Sequence, residues 1–224
     1  MEHKENLSRR KISRVLISVS DKSGIVDLSK GLSENGIEIV STGGTSKAIS
    51  EAGIPVRPVE EVTNFPEMMG GRVKTLHPLI FGGILGRDSD KDQMKEHGIE
   101  NIDMVICNLY PFKSAAEKGV DLSSLIEEID IGGPSLLRAA SKNHSRVSVV
   151  TDPGDYGWIL SEILNGGLTF EQRQQLALKS FRHTAEYDSI IQSVLAQRFG
   201  EEELPSSLHL TGIGSPPLRY GENP

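Results

Sequence analysis

Short runs of β-branched and other apolar residues, separated by stretches with helical spacing, constrain this chain more than any other feature. Val15-Leu-Ile-Ser-Val-Ser20 opens the series. Ile25, Leu28 and Leu32 follow at helical spacing with Gly36 as a stop, and then comes Ile37-Glu-Ile-Val-Ser-Thr42. The turn Gly43-Gly44-Thr45 leads into a short helical pattern ending near Gly53. Ile102–Leu109 and Arg146–Thr151 are further strand candidates, and Val56–Val62 is a weaker one, demoted by Pro58. Strands that alternate with helices need crossovers rather than hairpins, which predicts an α/β fold with a parallel sheet covered on both faces.

The last third reads differently. Thr169 and Gln172 form a capping box. From there Leu176, Phe181, Ala185, Ile191 and Leu195 carry a helical pattern almost to Phe199. One long helix, part of it free for an oligomer interface, and two ordinary helices broken near His183-Thr184 satisfy that pattern equally. Glu201–Ser207 and the Gly/Pro-rich stretch after it read as a linker. The expected organisation is an N-terminal extension over 1–14, one domain over 15–199, and a linker with the start of a truncated second domain over 200–224. Arg219-Tyr-Gly-Glu-Asn-Pro224 looks ordered yet ends the sequence, which implies a longer parent.

Composition narrows the partners. The 224 residues carry 24 Lys+Arg against 31 Asp+Glu, a net charge of −7, which argues against nucleic acid and anionic membranes. Met1–Arg14 holds basic residues without a following apolar core, so it is not a secretory signal. Leu204–Leu218, the longest stretch without charge, contains Pro205, Pro216 and Pro217 and is shorter than the ~20 apolar residues of a membrane span. Cys107 is the single cysteine, which rules out an internal disulfide and any multi-cysteine zinc module and points to a reducing cytoplasm.

Two strand-to-helix loops are built alike. Ser18–Gly24 follows the first strand and Ser41–Thr45 the second, and in a parallel sheet both emerge at the carboxyl edge, where ligands bind. Glycines admit an anion to backbone N–H groups, hydroxyls add donors, and Lys22 adds a charge. Alone, either loop reads as an ordinary turn with Asp21 or Thr45 as N-cap; together they point to phosphate. Neither is a nucleoside-triphosphate or dinucleotide motif.

Three further segments carry chemistry. In Gly70-Gly-Arg-Val-Lys-Thr-Leu-His-Pro78, Arg72 and Lys74 face one side if the segment is extended, and with Thr75 and His77 they suit an anionic or carbonyl-rich substrate. Cys107-Asn-Leu-Tyr-Pro-Phe112 offers Asn108 to an amide or heterocycle edge and the Tyr110 hydroxyl to an oxyanion, while Cys107 reads as core. Asp130-Ile-Gly-Gly-Pro-Ser135 reads as a helix start. It leads to Arg138 and Lys142, like charges on one helix face that an anionic ligand or Asp130 would offset. His144 has no Cys or His at ligand spacing, so no metal site is expected.

Taken together, SVSDK-G, the GGT loop, FPEM-GGRVKTLHP, CNLYPF, DIGG--LLRAA-KNH and LRYGENP resemble the bifunctional purine-biosynthesis family, whose members join IMP cyclohydrolase to AICAR transformylase. The resemblance covers nearly the whole chain. It implies a methylglyoxal-synthase-like three-layer fold, a central parallel sheet flanked by helices, with additional C-terminal helices. It also implies that 15–199 is the cyclohydrolase domain and that Arg219–Pro224 begins the transformylase domain, whose catalytic residues lie beyond this sequence.

The implied reaction is dehydrative closure of 5-formamidoimidazole-4-carboxamide ribotide (FAICAR) to IMP, without metal or cofactor; 10-formyltetrahydrofolate would belong to the transformylase half. Carried over, Ser18, Ser20, Lys22, Thr42, Gly43, Gly44 and Thr45 hold phosphate and ribose. Arg72, Lys74 and Thr75 line the base pocket with Asn108, Leu109 and Tyr110 opposite, and Asp130, Ile131, Gly132 and Gly133 contact the heterocycle. The catalytic set is Lys74 as general acid, Asp130 as base on the carboxamide nitrogen, and Tyr110 and Lys142 at the oxyanion, with Lys142 also helping water to leave. A cytoplasmic homodimer is expected. The competing reading is a non-catalytic phosphate- or nucleotide-sensing domain of the same fold, as in carbamoyl-phosphate synthetase, for which Lys74, Tyr110, Asp130 and Lys142 together are superfluous. Methylglyoxal synthase itself would want a paired catalytic-Asp pattern, which is not found.

Overall fold

A computed structural model describes residues 9–200. Its centre is a five-stranded sheet, β1 (Arg14–Val19), β2 (Glu38–Ser41), β3 (Arg57–Pro58), β4 (Met104–Asn108) and β5 (Ser148–Val150), in the order β3-β2-β1-β4-β5. Every pairing is parallel; Ile17 stands between Ser41 on one side and Ile106 on the other. In β1 the consecutive residues Val15, Leu16 and Ile17 are all fully buried. Since neighbouring strand residues point to opposite faces, both faces are covered, as the apolar runs required.

The helices are α1 (Ile25–Glu34), α2 (Gly43–Glu51), α3 (Val59–Thr63), α4 (Pro78–Leu85), α5 (Lys91–Glu96), α6 (Phe112–Glu117), α7 (Leu122–Glu127), α8 (Gly132–Lys142), α9 (Tyr156–Leu164) and α10 (Phe170–Phe199). The expected strand over 56–62 is mostly helix: only Arg57 and Pro58 pair with β2, and α3 begins at Val59. Proline removes the ladder donor, so pairing stops there. Residues 9–14, read from sequence as extension, are part of the body. Arg10 bridges to Leu168, Ile12 is buried, and β1 starts at Arg14. Met1–Ser8 and the expected linker and second-domain start from Glu201 onward lie outside the described residues.

Of the two readings of the last third, the unbroken helix is observed. Gln172 N donates to Thr169 Oγ1 at 3.2 Å and Thr169 N to Gln172 Oε1 at 2.8 Å, closing the capping box. Helical geometry then continues through His183 and Thr184 to Gly200, whose φ of 76° ends it. The Thr184 hydroxyl bonds back to Phe181 O at 3.1 Å, so it does not interrupt the ladder. The fully buried positions of α10 all lie between Arg173 and Tyr187, where it packs on α8 and β5. No described helix is long and apolar enough to cross a membrane.

Two arginines are core supports. Arg146, 5% exposed, donates Nε to Gly86 O at 2.7 Å and its Nη atoms to Ile84 O at 2.9 Å, Ile102 O at 3.3 Å and Gly83 O. These include the last carbonyls of α4, which have no partner within the helix. Arg173, 2% exposed, likewise holds the carbonyls of His144, Ser145 and Leu168. Within the basic stretch 138–146, Arg146 is internal while Arg138 and Lys142 are exposed.

Candidate functional site

From β1 the chain proceeds to β2 on one side, while β4 lies on the other, so the loops leaving β1 and β4 part company at the carboxyl edge. That divergence opens a crevice in any such sheet. Here it is a cleft of about 740 Å³, lined by the loops after β1, β2 and β4, by 67–75 and by the start of α8.

The anion end forms first. The first N–H groups of α2 have no helical acceptor and carry the positive end of its dipole. Gly43 has φ 37°, and a Cβ there would lie 3.3 Å from Lys74 Nζ; one on Gly44 would lie 3.9 Å from Lys22 Nζ. Two ammonium groups thus converge on the Gly43-Gly44 turn, and a side chain at Gly43 would press against one of them. The expected N-caps are not used as such. Thr45 Oγ1 donates to Val19 O at 2.9 Å, tying α2 to β1, and the Asp21 carboxylate binds Ser23 while Gly24, at φ 69°, precedes α1. Ser18 Oγ and Thr42 Oγ1 are mutually bonded at 2.9 Å.

Among the cations of the cleft, Lys74 is held by two carboxylates. Its side chain is 12% exposed and bonds Glu60 Oε1 at 2.9 Å and the Glu67 carboxylate. Burial works against the ammonium, but the bonds to Glu67 and Glu60 outweigh it and hold its pKa above the ordinary lysine value. It is a proton donor, not a base. Arg72 pairs with Glu127. The segment is a one-turn 3₁₀ helix at Met69–Gly71 followed by turns, not an extended strand. The two-residue spacing of Arg72 and Lys74 consequently does not aim them at one partner: each has its own carboxylate.

At the other end stands Asp130. Its Oδ1 accepts Gly133 N at 2.8 Å, and a Cβ on Gly133 would fall 2.4 Å from Oδ2 and 2.6 Å from a Leu109 methyl, so only glycine fits. Burial pushes the Asp130 carboxyl above the ordinary range, partly opposed by the N–H groups of Gly133, Tyr110 and Gly132. A carboxylate in that state is a better base than a solvated one. Tyr110 is 52% exposed; partial burial and then the Asp130 charge raise its hydroxyl, which stays a neutral donor. Thr75 is buried with its hydroxyl against Gly132.

Most expected positions meet in this cleft: Ser18, Ser20, Lys22, Thr42–Thr45, Arg72, Lys74, Thr75, Asn108, Tyr110 and 130–133 line it. Two do not. Leu109 is buried behind Gly133. Lys142 is exposed at the last turn of α8, whose other end forms the cleft, roughly 15 Å of helix away. Asn108 lines the cleft, but its carboxamide is committed: Oδ1 accepts Ser20 N at 2.7 Å and Asp21 N at 2.9 Å, and Nδ2 donates to Asp21 O. It shapes the phosphate loop rather than offering a free amide edge.

Sequence reasoning missed Glu60, Glu67 and Glu127. No acid lies between Gly70 and Arg87, so the carboxylates on Arg72 and Lys74 come from other segments of the chain. It also missed Tyr187, whose hydroxyl accepts Asp130 N at 2.9 Å from α10. No local signal marks a tyrosine 57 residues downstream. Among the described residues no group of three or more His, Cys, Asp or Glu is placed to hold a metal.

Residues 24–135 match the MGS-like domain family, and residues 140–224 match the AICARFT/IMPCHase bienzyme family. The bifunctional purine biosynthesis protein PurH of Oceanobacillus iheyensis is 55% identical over 215 residues, covering 94% of this chain and 42% of that protein. The chain belongs to the bifunctional purine-biosynthesis family. Another family member, PurH of Persephonella marina, is 51% identical over 216 residues with the same coverage. The crystal structure of ForH superposes with a TM-score of 0.73 at 34% identity, covering 83% of this chain and all of that one. The chain thus spans 42% of the length of these curated family members, and its fold is the MGS-like one.

Proposed function

We propose that this chain is an IMP cyclohydrolase, closing FAICAR to IMP with loss of water. One observation carries the reading: a single cleft joins an anion seat, made by Lys22 and the Gly43-Gly44 turn, with Lys74 beside it, to a partly buried carboxylate of raised basicity, Asp130. The bifunctional relatives, matched over their N-terminal part, supply the substrate class.

The anion seat holds the 5′-phosphate. Fixing that end places the ring's two neighbouring substituents in register, so that addition becomes intramolecular in effect. Asp130 takes a proton from the carboxamide nitrogen as it forms the new C–N bond to the formyl carbon. Lys74, kept protonated, donates to the formyl oxygen, and Tyr110 bonds the same oxygen as charge develops there. The hydroxyl so formed takes the proton held by Asp130 and leaves as water, while the former formamide nitrogen returns a proton to Lys74 as the C=N bond closes the ring, so no redox partner or group carrier enters the balance. Lys142 has no part in this scheme, because its place on α8 does not support one within a single chain.

The transformylase activity and its 10-formyltetrahydrofolate belong to the remaining part of the family's length. A cytoplasmic homodimer suits the acidic composition and the far half of α10, where Ile190, Ile191 and Val194 are only partly covered. Incubating the chain with FAICAR and following the inosine chromophore tests the function. Turnover supports it; phosphate-ligand binding by folded protein without turnover favours the sensing domain.

A further inference from the structure

The cationic side chains of the cleft are already matched in number by carboxylates before any ligand enters. Lys22, Arg72 and Lys74 line it, and so do Glu67, Glu127 and Asp130. Glu60 adds a further negative charge through its bond to Lys74. A phosphate dianion entering such a site meets no net attraction unless a carboxylate withdraws.

The two acids on Lys74 are placed differently. Glu60 belongs to α3, its side chain is 29% exposed, and it does not line the cleft. Burial works against its charge, but the bond to Lys74, its own backbone N–H and the Lys74 charge together hold its carboxyl below the usual range. Glu67 lines the cleft, is 47% exposed, and lies on the exposed segment 64–70. That segment is bounded by positive-φ residues, Asn64 at 50° and Met69, Gly70 and Gly71 at 51°, 64° and 88°. Lys22, across the Gly43-Gly44 turn, and Tyr110, after β4, also face the ammonium, and Arg72 and Asp130 line the same cleft. One carboxylate therefore stands behind Lys74, and the other stands on the side from which an anion must come.

We propose that Glu67 is an internal competitor for the anionic ligand, seated on Lys74 in the empty cleft and displaced when a phosphorylated ligand binds, while Glu60 remains as the permanent counter-ion. This rests on reading the cleft as a phosphorylated-ligand site. The consequence is opposite signs for two chemically identical substitutions. Glu67→Gln removes the competitor and leaves Lys74 charged. Glu60→Gln removes the support that orients the ammonium over Gly43.

Isothermal titration of the wild-type chain and both variants with inorganic phosphate and with IMP tests the proposal. Glu67→Gln is expected to bind both about two- to fivefold more tightly, and Glu60→Gln about two- to fivefold more weakly, the range for releasing or losing one partly exposed ion pair. Equal or weaker binding by Glu67→Gln, or undiminished binding by Glu60→Gln, overturns it. A crystal structure of the wild-type chain with phosphate or IMP gives a second readout, independent of the variants. Glu67 beyond about 4 Å from Lys74 Nζ with Glu60 still bonded is expected, and Glu67 still on Lys74 overturns the proposal. Phosphate binding without IMP binding would count against the cyclohydrolase reading, while the signs with phosphate still decide the role of Glu67.

Discussion

The hydroxyl of Tyr187, on the long C-terminal helix, accepts the backbone N–H of Asp130 at 2.9 Å and donates to Glu128 O at 3.3 Å. One side chain from α10 thereby fixes the turn that delivers the proposed base to the cleft. Packing of its ring edge-on to Phe112, with centroids 6.5 Å apart, fixes the tyrosine in turn. Tyr187→Phe keeps the packing and leaves that N–H without its partner. We expect a loss of about 1–2 kcal/mol in urea unfolding and a several-fold fall in kcat with little change in KM. Unchanged kcat would mean that the turn is held without the hydroxyl.

Asp130→Asn should separate activity from stability. Turnover is expected to fall at least ~10²-fold, since the amide cannot take the carboxamide proton. Burial raises the folded-state pKa of Asp130 above its unfolded value, so the carboxylate opposes folding at pH above that folded pKa. The asparagine variant should therefore match or exceed wild-type thermal stability at pH 7 to 8. Its relative advantage should vanish below about pH 4, near the ordinary aspartate pKa, where wild-type Asp130 is itself protonated. Melting curves across that range read the sign.

Lys74→Ala is expected to lower turnover by at least ~10²-fold, because it removes the donor that Glu60 and Glu67 hold beside the Gly43 turn. Full activity in this variant would remove Lys74 from the mechanism.

Cys107 should be inert in the native state. It is buried at the end of β4, and burial followed by the Asp130 charge pushes its thiol far above the physiological range. A thiol reagent added at pH 8 should react only at the rate of global unfolding, and cyclohydrolase activity should survive the exposure. Fast labelling with loss of activity would contradict the burial.

Arg146→Leu is expected to cost about 3 kcal/mol or more. It strips partners from the Gly83, Ile84, Gly86 and Ile102 carbonyls in the interior. Arg138→Leu, at an exposed position on α8, should change stability by less than about 0.5 kcal/mol. Chemical denaturation of the two variants side by side gives the comparison.

The parallel sheet, its crossover helices and the two anion loops follow from local pattern. Apolar runs such as Val15–Val19 need cover on both faces, and a glycine pair after a strand opens a helix N-terminus at the carboxyl edge; both are properties of a few consecutive residues. The capping box of Thr169 and Gln172 is local in the same sense. The direction of a charged or amide side chain is not. Arg146 and Arg138 lie in one basic stretch, yet one caps an interior helix end and the other faces solvent, because the connection from α8 to β5 carries Arg146 against the end of α4 while Arg138 sits on the exposed side of α8. Asn108 turns back to hold Ser20 and Asp21, and Lys142 is carried away from Asp130 by the length of the helix that begins beside it. Most of the positions expected from the sequence do line one cleft, Leu109 and Lys142 excepted. Which charges meet there, Glu60 and Glu67 on Lys74, Glu127 on Arg72 and Tyr187 beneath Asp130, was decided by long-range packing, because partners 7 to 57 residues apart have no spacing rule to announce them.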